Sequence, residues 1–176
     1  MSTELPDPPQ PHPDIDIGVA LFKRIENKSS YTHWALVSVE CPHSYSAAPV
    51  HLYQIRNNDG SGAKVPWFTD FSHNVMLSKF LDSTIIGVVH LGTLHMPQQQ
   101  LDDYVTELGA GTQSDTRGLG WSNTSFIIRI VESLSYADIL KTPSSTHHFR
   151  SNIEEKESMM EWAKSLGAHP FPIINA

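Results

Sequence analysis

Residues 31–40, YTHWALVSVE, decide the fold class. The run is rich in β-branched and aromatic side chains and has the length of a strand. At the two-residue period of a strand, Trp34, Leu36 and Ser38 fall on one face, and His33, Ala35, Val37 and Val39 on the other. Upstream, residues 17–25 (IGVALFKRI) form another run of strand length, set off by the polar turn 26–30. Downstream, residues 50–56 (VHLYQIR) alternate again, with His51, Tyr53 and Ile55 on one side and Leu52 and Gln54 on the other. The segment 57–62 (NNDGSG) is a turn of residues that tolerate positive φ. Residues 67–71 and 83–94 add two extended runs, the latter so continuously apolar that it belongs near the centre of a sheet.

Helical spacing takes over later in the chain. Residues 97–108 place Leu101, Tyr104, Val105 and Leu108 on one face, with Pro97 in the first turn and Gly109 and Gly111 as stops. Residues 121–134 (WSNTSFIIRIVESL) align Thr124, Ile127, Val131 and Leu134, and Ser122 or Asn123 is the natural N-cap. A last helix over 153–166 is expected to bury Met159, Trp162, Ala163 and Leu166, to carry Glu154, Glu155 and Glu157 near its start and to end at Gly167. The apolar tail Phe171, Pro172, Ile173 and Ile174 is expected to pack down on the domain. Pro6, Pro8, Pro9, Pro11 and Pro13 make residues 1–16 a disordered proline-rich tail, with order beginning near Ile17. The expected architecture is thus one α+β domain over 17–176, a mostly antiparallel sheet with helices packed against it.

Composition removes several function classes. With 176 residues the chain is long enough for one enclosed core. A formal net charge of -7 leaves no electrostatic footprint for nucleic acid. No apolar run approaches a membrane span, and the first residues lack the apolar core of a signal peptide. The single cysteine, Cys41, has no partner for an internal disulfide, so the expected compartment is cytoplasmic. The ten histidines raise the question of a metal. Cys41-Pro42-His43 and His147-His148 are isolated pairs, with no second pair and no H-x-x-x-H helix, so spacing calls for no metal and no cofactor. Gly109-Ala110-Gly111 and Gly118-Leu119-Gly120 do not follow a strand as a dinucleotide loop must, and no P-loop is present. Asp102-Asp103 reads as the solvated acidic face of a helix.

What remains is dispersed. His33 sits mid-strand, His51 lies on the next strand beside Tyr53, and Ser122 to Ser125 open a helix. A hydroxyl there would have its anion favoured by the unpaired N–H groups of the first turn. Residues 31–37 (YTHWALV), 50–52 (VHL) and 123–134 (NTSFIIRIVESL), in that order, resemble small fungal proteins related to the permuted papain-like superfamily that includes LRAT and NlpC/P60 domains. In that group one strand carries His-Trp before an apolar run, the next a short His-Leu segment, and a later helix opens with Asn-Cys. The resemblance spans about residues 17–135, and each motif is short.

By position, the resemblance makes His33 the general base and His51 the polar partner that orients it, and it puts Thr124 where the family has its cysteine. A thiol with a pKa near ~8.5 ionises at a helix start, and a threonine hydroxyl does not. An internal threonine also lacks the terminal amine that activates threonine nucleophiles. The resemblance therefore implies a permuted papain-like scaffold that has lost covalent thiol catalysis. The expected protein binds a small molecule and uses His33 for non-covalent acid–base work, an isomerisation or cyclisation in fungal specialised metabolism. Trp34, Tyr53, Trp67 and Ser125 are expected to contact that molecule. Two rivals stand beside it. One is acyl transfer or amide/ester hydrolysis by Thr124 or Ser125; the other is a non-catalytic interaction module using either end of the chain. Each residue also has a bland role: His33 as a satisfied core histidine, His51 and Tyr53 as a half-buried pair, Thr124 and Ser125 as first-turn residues.

Overall fold

The structure is a computed structural model that describes residues 11–26, 28–58, 64–80, 84–114, 122–141, 146–168 and 170–176. Most of the proline-rich tail, most of the 57–62 turn, Ser83 and Trp121 lie outside the described residues. Six strands, β1 (Ile15–Glu26), β2 (Ser29–Glu40), β3 (Val50–Asn58), β4 (Lys64–Val75), β5 (Ile85–Leu94) and β6 (Ile173–Asn175), form one sheet in the order β4-β3-β2-β1-β5-β6. Three helices, α1 (Gln98–Ser114), α2 (Asn123–Tyr136) and α3 (Phe149–Ser165), complete the α+β fold. None of the described helices is long and apolar enough to cross a membrane.

The alternation in β2 sorts the core as its spacing requires. Trp34 and Leu36 join the cluster under the helices, with Leu101, Phe126, Ile127, Val131 and Ile153. Ala35, Val37 and Val39 join the cluster on the opposite face, with Tyr45, Leu77 and Phe171. β1 and β2 pair antiparallel along their whole length, from Ile15 opposite Glu40 to Glu26 opposite Ser29. Order therefore starts earlier than Ile17, because Ile15 is fully buried and paired with both Glu40 and Leu94. Among the described residues β6 makes the one parallel pairing, with Ile173 opposite Val88, and it is how the apolar C-terminal segment packs down.

Two helices depart from their sequence reading. α1 runs through Gly109 and Gly111 instead of stopping there. Gly109 is needed for packing: a Cβ at this position would stand 2.6 Å from Thr69 Cγ2 of β4, so the missing side chain lets the helix approach the sheet. α3 turns its expected core stripe outward. Trp162 is 68% and Leu166 67% exposed, while Phe149, Ile153 and Met160 are buried. At 100° per residue the two stripes lie roughly 120° apart on the helix, so burying one exposes the other. Gly87 of β5 decides between them. Its absent side chain leaves a groove that Met160 Sδ occupies, 2.4 Å from where a Cβ would stand, and Lys164 Nζ donates to the Ile85 carbonyl beside it.

Candidate functional site

β2 and β3 stay paired only at Leu36 with Tyr53, Val37 with Leu52, and Ser38 with His51. Beyond Tyr53 the strands part, and the start of α2 enters the gap. Ser122 caps that helix through a reciprocal box with Ser125, whose backbone N–H reaches Ser122 Oγ at 3.1 Å while Ser125 Oγ accepts from the Ser122 N–H at 2.8 Å. The cap aims Asn123 into the gap. There Asn123 Oδ1 accepts the Ile55 backbone N–H at 2.8 Å, the donor that the parted strands leave over.

Asn123 also fixes the state of His33. A backbone N–H can only donate, so the atom of Asn123 facing Ile55 is Oδ1 and its amide nitrogen faces the ring, 2.9 Å from His33 Nδ1. On the ring's far side, the Asp70 carboxylate accepts from Gln54 Nε2 at 2.9 Å, which turns Gln54 Oε1 toward His33 Nε2 at 2.6 Å. The same amide nitrogen lies 3.1 Å from Nε2, and the tautomer assigned from this pattern is the neutral ring with the proton on Nε2, donated to Gln54 Oε1, and a lone pair on Nδ1. Burial holds the His33 pKa below its ordinary value; the Gln54 bond and Asp70 oppose this, and Arg24 and Arg56 reinforce it. Arg56 in turn pairs with Asp70. The network leaves no described buried side-chain polar atom without a partner.

A cavity of about 420 Å³ opens where the strands part, lined by His33, Asn123, Thr124, Trp67, Arg24 and Arg56 among others. Among the described residues no carboxylate is on its wall. His33, Thr124 and Trp67 thus line one cavity. The other four candidate residues do not join them. Trp34 is buried edge-on against Phe149. Tyr53 is fully buried, and its hydroxyl donates to Asp102 Oδ1. Ser125 is occupied as the helix cap. His51 lies opposite Ser38, on the face shared with Leu36, whereas His33 shares its face with Ala35. Five residues of β2 separate the two histidines, roughly 17 Å at strand rise. The residue that orients His33 is accordingly Gln54, not His51.

Cys41 offers no replacement nucleophile. Burial and a hydrogen bond to the Asp16 carboxylate push its thiol up to about 11.

A second grouping, which spacing did not reveal, joins three elements. His51 Nδ1 lies 3.1 Å from Asp102 Oδ1 and 2.8 Å from His73 Nδ1. The three ligand-type atoms all lie within 4.8 Å of one another, an arrangement that could hold a metal ion. Asp102 is not a solvated helix-face acid: its side chain is 15% exposed, accepts from Tyr53 and Gln98, and lies against His51. Asp103 does match that reading, being exposed and bonded only to Gln99 at 2.9 Å among the described contacts.

Sequence reasoning also missed Gln54, Asp70 and the ring contact of Asn123. The available signal was Asn123 at the first position of a capped helix, where a side-chain amide can reach beyond the helix end. No family model, curated protein or solved structure matches this chain.

Proposed function

We propose that the protein binds a small molecule in the cavity between β2 and β3 and that His33 acts on it as a non-covalent acid–base group, on a papain-like scaffold without a thiol nucleophile. The observation that supports this reading is the His33 ring at the wall of that cavity, with Nε2 on Gln54 Oε1 and the Asn123 amide against its nitrogens. A ligand group that displaces the Asn123 amide would meet an unprotonated nitrogen at pH 7. Nδ1 takes a proton from the ligand, and the resulting imidazolium is held by Gln54 Oε1, itself polarised by Asp70. Returning the proton to another atom of the same ligand completes an isomerisation or cyclisation with no co-reactant. Arg24 on this wall favours a ligand with an anionic group, whereas Arg56 is already paired with Asp70.

Hydrolysis through Thr124 is less well supported. Thr124 lines the cavity, but the nitrogen that would activate it is engaged by Asn123, and nothing lowers the pKa of a threonine hydroxyl enough to compensate.

The test follows a panel of enolisable keto acids in D2O by NMR, reading deuterium incorporation, with thermal shift as the binding readout. The wild type is expected to bind and exchange at least one of them. His33→Gln should keep binding and lose exchange by about 10²-fold or more. Equal exchange by folded His33→Gln refutes the acid–base role. A covalent adduct with an activated ester that Thr124→Ala abolishes moves the function to acyl transfer.

A further inference from the structure

We propose that His51, His73 and Asp102 form a binding site for a divalent transition-metal ion of the zinc class, separate from the His33 cavity. The three residues come from β3, β4 and α1, and a local irregularity brings them together. Val50 pairs with Val75 and Leu52 with Ser72, so two residues of β4, His73 and Asn74, stand opposite the single His51. Asn74 takes up the extra residue with φ 56°, and the bulge turns the His73 ring edge-on to His51 at a centroid distance of 4.5 Å. α1 then lays Asp102 over the pair.

Hydrogen bonding alone does not account for this geometry. His51 Nδ1 has two close neighbours, Asp102 Oδ1 at 3.1 Å and His73 Nδ1 at 2.8 Å. One ring nitrogen carries one proton or one lone pair, so it cannot make a well-directed hydrogen bond to each. A cation at His51 Nδ1 would take its lone pair and draw the His73 and Asp102 ligand atoms in around it. Ligand atoms about 2.0–2.1 Å from a common ion stand roughly 2.9 Å apart at a right angle and roughly 3.4 Å apart at the tetrahedral angle. The two separations at His51, 2.8 and 3.1 Å, match that edge length, and all three ligand atoms lie within 4.8 Å of one another.

The surroundings are those of a metal ligand set. Tyr53 OH and Gln98 Nε2 both donate to Asp102 Oδ1 and fix its position, and Gln98 also donates to the Tyr53 oxygen at 2.7 Å. His51 is 22% exposed while His73 is open to solvent, so an ion has an entry path and room for water in the remaining positions. Two imidazoles and one carboxylate suit zinc, cobalt or nickel, and not magnesium or calcium, which take all-oxygen sets.

The test is equilibrium dialysis of the full chain, stripped with chelator, against Zn2+, with Co2+ absorption and thermal shift as further readouts. The wild type is expected to take up one tightly held Zn2+, to give a ligand-field spectrum with Co2+, and to gain thermal stability from zinc. His73→Ala, at an exposed position, should weaken binding at least about 10-fold and abolish the thermal gain. Asp102→Asn should change the Co2+ spectrum. His95→Ala and His147→Ala should bind as the wild type does. No uptake at about 100 μM Zn2+, far above the range of structural zinc sites, overturns the proposal. Equal uptake by His73→Ala and wild type overturns it as well, since the ion would then sit on other histidines.

Discussion

Replacing Asn123 by Asp tests the charge logic of the His33 site with almost no change of shape. The carboxylate keeps an oxygen for the Ile55 N–H and suits the first turn of α2, where the helix dipole favours negative charge. What changes is the atom 2.9 Å from His33 Nδ1, from an amide donor that requires a lone pair to an acceptor that requires a proton. In the wild type the His33 pKa is below its unfolded value near ~6.5, so the native state binds fewer protons than the unfolded one. Its contribution to stability is full above that value and is lost as pH falls through the native pKa. A carboxylate at contact distance raises an imidazole pKa by about 1–3 units. In Asn123→Asp the native pKa rises by that amount, so the variant gains stability relative to the wild type as pH falls. Each unit is worth about 1.4 kcal/mol; allowing for screening at the open cavity, variant-minus-wild-type stability should swing by about 2 kcal/mol between acid and neutral pH. Urea unfolding of both proteins from pH 5 to 8, with NMR titration of the His33 ring, measures it. Taking the difference cancels the common carboxylate background. A flat difference, or a His33 pKa that stays put in the variant, refutes the neutral Nε2–H assignment and the mechanism built on it.

The orientation of α3 and the state of Cys41 give two further predictions. Met160→Ala should cost about 2–5 kcal/mol in chemical denaturation because the residue is fully buried. Trp162→Glu, at a position 68% exposed, should stay within about 0.5 kcal/mol, and the reverse ranking would mean the helix packs through its other stripe. With its thiol pushed up to about 11, Cys41 should alkylate with iodoacetamide at pH 8 about 10-fold more slowly in the native than in the unfolded chain, as the smaller thiolate fraction outweighs its greater nucleophilicity. Equal rates would place the thiol in an ordinary environment.

The candidate site was only half legible. His33, Thr124 and Trp67 could be named beforehand because each stands at a recognisable place, in mid-strand, at a helix start or in an extended aromatic run, and all three line one cavity. Gln54 passed as an ordinary alternating strand residue, and its role arises from where β3 leaves β2. His51 was paired with the wrong histidine. Its distance and face relative to His33 follow from cross-strand register, which a turn of uncertain length between the strands does not reveal. The metal-type grouping was not legible, because metal motifs are read as spacings along one chain segment. His51, His73 and Asp102 are instead brought together by a bulge and a docked helix.

What the amino-acid order determined alone is whatever depends on near neighbours. The strand alternation at residues 31–40 sorted two core faces, and the Ser122 cap started α2. Each is fixed by interactions within one element, where side-chain direction repeats with the backbone period. Tertiary structure decided what depends on one element meeting another. α3 carries two apolar stripes, and only the groove over Gly87 selects Met160 over Trp162. His33 could be a packed residue or a base, and only the parting of β2 from β3 gives it Asn123, Gln54 and a cavity. Periodicity is a local property of the chain, whereas packing is a choice among surfaces that periodicity makes equally available.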